Sequence, residues 1–180
     1  MDALQDTRLW LERAVIGLNL CPFAKAVHQK GQIRWVISDA GSPAALLRLL
    51  AQELKTLHEA DPAQVDTTLI VHPGVLQDFM DFNDFLDAAD ELLLDLELDG
   101  VLQIASFHPQ YQFAGADADD PGNCSNRSPY PTLHLLREAS IDRAVASFPD
   151  ASMIFESNIK RLEAMGLQGW QQLMEKSGDP

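Results

Sequence analysis

Two apolar runs in this chain end in the same way: "IVHP" (70–73) and "SFHP" (106–109) each close on a histidine followed by proline. Proline restricts the residue before it to extended geometry, so each imidazole stays pointed as its strand leaves it. If both runs are strands of one parallel sheet, His72 and His108 share its carboxyl edge, where open α/β sheets bind ligands. The plainer alternative is that each ring bonds a nearby carbonyl and merely terminates its strand. Cys21, in "LCPF", is the second chemical signal. With Pro22 at a first helical position, Cys21 falls at a helix start, where unpaired N–H groups favour a thiolate nucleophile. A buried apolar cysteine between Leu20 and Phe23 is the structural alternative.

"TLHLLRE" (132–138) adds His134, Arg137 and Glu138. Read as a helix, it places positions 134 and 138 one turn apart on a shared face. That spacing suits two metal ligands, or an imidazole oriented by a carboxylate. Arg127, in the rigid segment "NRSPYP", is the first Lys or Arg after Lys55, and guanidinium forks suit carboxylate or phosphate. Arg127 and Arg137 are the candidates for holding a substrate anion.

These residues fit two chemistries on a small anionic substrate. In a thiol hydrolase or transferase, Cys21 is the nucleophile, activated by His72, His108 or His134, with Glu138 as orienting carboxylate. In a metal-dependent hydrolase, His72, His108, His134 and Glu138 hold a divalent cation and leave one position open for water. No two histidines share a short ligand spacing, which favours the thiol version. A binding or regulatory protein without catalysis is the alternative from another class.

The elements that must position these groups follow from periodicity. Residues 3–18 carry Leu4, Leu11, Ala14, Val15 and Leu18 near helical spacing, and "CPFAKAVH" begins a second helix. Residues 32–38 alternate Ile33, Trp35 and Ile37, which predicts a strand. Ser42 and Pro43 start a helix over 42–60. Strands over 66–73 and 100–109 bracket a helix over 76–97, with Phe79, Phe82, Leu86, Leu93 and Leu96 on one face. Residues 110–131 lack periodicity, and "DADDPGN" (117–123) within them reads as a polar turn rather than a calcium loop. "TLHLLREASIDRAVASFP" predicts helix, and Asp150 or Ser152 can cap a last helix that stops at Gly166. Residues 176–180 read as a frayed tail of a single domain spanning 1–180.

Strand–helix–strand–helix–strand order with long crossovers predicts an α/β protein: a small, mostly parallel sheet of three strands flanked by helices. A ferredoxin-like α+β arrangement with a further strand is the rival. The net charge of −14 is uneven, since residues 61–120 hold fourteen acids and no Lys or Arg. Such a field disfavours nucleic acid. The acids Asp78, Asp81, Asp84, Glu91 and Asp95 follow one side of the long helix, as a solvated face or a docking surface for a protein partner. No run is long enough to span a membrane, and two cysteines without a secretion signal imply a reducing cytoplasm.

"WLERAVIGLNLCPFAK", "DTTLIVHP", "DFNDFLDAADELL", "GVLQIASFHPQYQFAG" and "NRSPYPTLHLLREASIDRAV" together resemble a bacterial family known as domain of unknown function 1415. The resemblance spans nearly the whole chain. It implies a bacterial, cytoplasmic, single-domain protein and brings no reaction, cofactor or catalytic residue with it.

Overall fold

The computed structural model describes residues 2–147 and 152–175. The expected tail at 176–180 and the candidate cap Asp150 lie outside them. Helix α1 (Ala3–Trp10) starts on Asp2, whose carboxylate accepts from Leu4 N–H. It runs on into a π-helical turn, Leu11–Ile16. After α2 (Ala24–Gln29) come β1 (Ile33–Ile37), α3 (Pro43–Glu59), β2 (Thr67–Val71), α4 (Phe79–Asp95) and β3 (Leu102–Phe107). A 3₁₀ turn at Pro121–Asn126 precedes β4 (Thr132–Arg137), α5 (Glu138–Ala146) and α6 (Ser152–Glu175).

The sheet is α/β, but it is four-stranded and mixed, in the order β1-β2-β4-β3. β1 and β2 are parallel neighbours, Ile33 opposite Thr67, as the long crossover through α3 requires. β3 runs in the same direction as β2 without touching it. β4 lies antiparallel between them, with Thr132 opposite both Val71 and Phe107. The segment "TLHLLR", expected to be helical, is therefore a central strand. Its period-two alternation is hidden because both faces are covered: Leu133 and Leu135 are buried on one side, and His134 and Leu136 are partly covered on the other. Central strands of this kind read as nearly continuous apolar runs. The three-strand parallel sheet is thus corrected by one strand.

Alternation sorts the side chains into two layers. Val36, Ile70, Leu102, Ile104, Leu133 and Leu135 face α3 and α4, where they meet Leu46, Leu50, Leu54, Phe82 and Phe85. The same layer holds a forked pair: Arg34 Nε and Nη2 donate to the buried Glu53 carboxylate at 2.7 and 3.0 Å. On the opposite layer Ile33, Trp35 and Phe107 meet Trp10, Leu11, Ala14 and Val15 of α1 and the π turn. The acids of α4 (Asp81, Asp84, Glu91 and Asp95) and its cap Asp78 are exposed, while Phe82 and Leu93 are buried and Leu86 is half-buried. Asp78 caps α4 by accepting from Met80 and Asp81 N–H. The helical path of α6 breaks at Gly166, as expected: its φ of 66° and ψ of 171° are non-helical and open to glycine, and a second helical segment follows the kink to Glu175.

Candidate functional site

The two His-Pro endings do converge, though on each other's scaffold rather than on a crevice. His72 and His108 extend β2 and β3 on the same sheet edge, on the α3/α4 layer, and both are fully buried. His72 Nδ1 lies 3.1 Å from the Val75 carbonyl and His108 Nε2 lies 3.2 Å from the Leu76 carbonyl. A carbonyl only accepts, so each of these nitrogens carries its proton. The remaining His108 nitrogen, Nδ1, accepts from Gln110 N–H at 3.0 Å. Two imidazoles therefore grip consecutive carbonyls of the turn that leads from β2 into α4. That turn needs holding, because Leu76 sits at φ 57°, a left-handed geometry unfavourable for a bulky side chain. Phe82 packs between the rings, 5.7 Å from His72 and 5.1 Å from His108. Burial pushes His72 down to about 4 and lowers His108, so both stay neutral at neutral pH.

The other sequence candidates separate. Arg127 is near the carboxyl edge, lining an open groove with Pro109, Asp6 and Trp170. Its Nε and Nη2 donate to Tyr111 and Ala118 carbonyls at 3.2 and 2.7 Å and so pin the long loop. Arg137 lies at the opposite sheet edge, and its Nη2 is shared by the carbonyls of Leu57, in the last turn of α3, and of Ala60 and Val65 beyond it. Glu138 begins α5 at that same far edge, with its N–H donated to Val101. It shares no helix face with His134, which belongs to β4. A metal set of His72, His108, His134 and Glu138 would have to bridge two faces and two edges of the sheet. Among the described residues no three His, Cys, Asp or Glu side chains are grouped to hold an ion.

Cys21 is not at the start of α2 either. It lies three residues before Ala24, whose N–H its carbonyl accepts at 3.3 Å. The helix-start argument for a thiolate is lost with that position. What the structure does bring together is Cys21 and His134. Both line one apolar cavity of about 320 Å³ between the sheet and the N-terminal helices, walled also by Trp10, Val15, Phe107 and Ile141. The π turn supplies Leu11 and Val15 to its wall; the N–H groups of Gly17 and Leu20 reach back five residues, to Glu12 and Val15. Such turns recur at functional sites.

The tautomer of His134 follows from its partner. Thr67 Oγ1 donates its single proton to the Leu135 carbonyl at 2.6 Å and lies 2.7 Å from His134 Nε2. The hydroxyl must then accept from Nε2–H, which leaves Nδ1 with a bare lone pair. Burial pushes this imidazole down to about 4, so it is neutral. A neutral acceptor in an apolar chamber can take an O–H or N–H from a ligand that offers one. At the rim, Ser140 Oγ donates to Asp66 Oδ1 at 2.6 Å and accepts from Arg143 at 2.9 Å. Thr67, Asp66 and Ser140 escaped the sequence reading, because their link to His134 exists only once "TLHLLR" is a strand beside β2. Cys124, by contrast, is packed with Leu20 and Leu162 in a small buried cluster.

The chain belongs to the family described as Protein of unknown function (DUF1415), whose profile matches residues 2–172. No curated protein and no solved structure matches it.

Proposed function

We propose that this protein takes up a small, predominantly apolar molecule in the cavity between the sheet and its N-terminal helices, and that Cys21 and His134 act on it there. One observation carries the reading: a thiol and an imidazole with a free lone pair line the same apolar chamber. Its volume lies at the lower end of the range for small-molecule sites, and a few polar groups in an apolar wall are their usual composition. His134 Nδ1 is open to a donor group of the ligand or to the Cys21 proton, and Cys21 is the group able to form a covalent bond to the ligand. His134 is held neutral, so no standing imidazolium is present to keep a thiolate. On a bound electrophile such as a carbonyl, the Cys21 proton passes to His134 Nδ1 as the sulfur–carbon bond forms and the carbonyl π pair moves onto its oxygen. The scaffold role of His72 and His108 removes them from this chemistry.

Octan-1-ol, an apolar chain with one hydroxyl donor, is a suitable neutral probe. Calorimetric titration is expected to show saturable binding at one site per chain. Ala24→Phe, which projects a ring from α2 into the cavity wall, is expected to weaken it by at least tenfold, roughly 1.4 kcal/mol or more. Undiminished binding in a folded Ala24→Phe variant would place the site elsewhere.

A further inference from the structure

The apolar cavity adjoins a second cleft of about 460 Å³, and the two share Phe23, Val27, Asp66, Ser140 and Ala144 as common walls. The character of the lining changes at this boundary. The cleft adds Lys30 from the end of α2 and Arg143 from α5. Both side chains are exposed, and the Lys30 ammonium has no hydrogen-bond or ion-pair partner among the described residues. Arg143 spends one Nη2 contact on Ser140, at 2.9 Å. The one carboxylate in the lining, Asp66, already accepts the Ser140 hydroxyl at 2.6 Å. Two cations against one carboxylate leave a locally positive mouth on a chain whose net charge is −14.

We infer that the ligand is an amphiphilic anion, with its apolar body in the cavity and a carboxylate head in the cleft between Lys30 and Arg143. This rests on the cavity reading above and adds the head group to it. The argument is one of complementarity. An apolar chamber alone accepts any small hydrophobe, and the strongly acidic surface repels anions at long range. A carboxylate is favoured only where a local pair of cations outweighs that field, and the mouth of the chamber is such a place. Arg143 offers a fork to the carboxylate, and the Ser140 contact holds it in place. Lys30 contributes a flexible point charge from the facing element.

Octanoate, octan-1-ol and octylammonium share one tail and differ in head charge, so their affinities separate the two contributions. Calorimetry on the full chain in about 50 mM salt is expected to rank octanoate roughly tenfold tighter than octan-1-ol, with octylammonium weakest. Raising the salt to about 0.5 M should shrink the octanoate advantage and leave octan-1-ol unchanged. Lys30→Glu, a change at an exposed side chain without partners, should abolish the advantage while octan-1-ol affinity stays within about twofold. Lys30→Glu combined with Arg143→Gln should place octanoate below the alcohol. If octan-1-ol binds and octanoate binds no tighter, or if Lys30→Glu leaves octanoate unaffected, the head-group assignment is wrong and the cavity reading stands. If none of the three ligands binds, both are wrong.

Discussion

Phe82→Ala is expected to cost the fold about 3–5 kcal/mol, read as a fall in the urea midpoint at unchanged m. Phe82 is fully buried, in the core cluster that joins α3, α4 and the sheet. Its ring also separates the two imidazoles that hold the β2–α4 turn. Truncation removes the ring's transfer energy and leaves a cavity that His72 and His108 cannot close without moving. It also deprives two imidazoles of an aromatic neighbour, each such pair contributing about 0.5–1.5 kcal/mol. Leu94→Ala on the same helix is the control, since Leu94 is 61% exposed and its loss should stay within about 0.5 kcal/mol. A cost below about 1 kcal/mol for Phe82→Ala would mean that the turn is not braced by this ring.

Acid should destabilise the protein well before its carboxylates are protonated. His72 in the folded chain is pushed down to about 4 by burial, against about 6.5 in the unfolded chain. Near pH 7 both states are neutral and the histidine contributes no pH dependence. Below 6.5 the unfolded chain binds a proton that the folded chain refuses, so stability falls as the pH falls, by about 1.4 kcal/mol per unit, until the folded pKa is reached. Between pH 7 and 5 this amounts to about 2 kcal/mol from His72 alone. His134, also near 4, acts in the same direction and window, less strongly because part of its surface faces the cavity. Urea titrations at pH 7, 6 and 5 are expected to show this slope, and His72→Leu should remove about half of it. A stability that is flat from pH 7 to 5 would contradict neutral burial of these rings.

Much of the framework was legible in the residues. α3 shows its Ser42-Pro43 start and α4 its Phe82 and Leu93 stripe, because each has one face turned to solvent, and β1, an edge strand, sets the polar Arg34 between Ile33 and Trp35. β4 had no such face. Covered on both sides, it kept no polar alternation, and "TLHLLR" fits a helix as well as a strand. That single misassignment moved His134 away from Thr67 and put Glu138 beside it. Cys21 was misplaced for a local reason: Pro22 suits a first helical position, but α2 starts at Ala24. Of the two readings of the His-Pro pair, the structure shows the plainer one, each ring bonded to a nearby carbonyl. The pair's partners were out of reach of sequence, since His108 bonds Leu76, thirty-two positions earlier. A carbonyl acceptor of that kind leaves no trace in residue type.

The central claim, that a ligand occupies the chamber lined by Cys21 and His134, is tested most directly by protection of Cys21. The wild-type chain is treated with iodoacetamide at neutral pH, with and without octan-1-ol at about ten times its Kd, and modification of each cysteine is followed by peptide mass spectrometry. Cys124, only 1% exposed, serves as an internal control for unfolding and should stay unmodified throughout. With the chamber filled, the free fraction falls to roughly a tenth, so alkylation of Cys21 is expected to slow by about tenfold. Bound octan-1-ol with an unchanged Cys21 rate would contradict the claim, since the ligand would then lie away from the thiol.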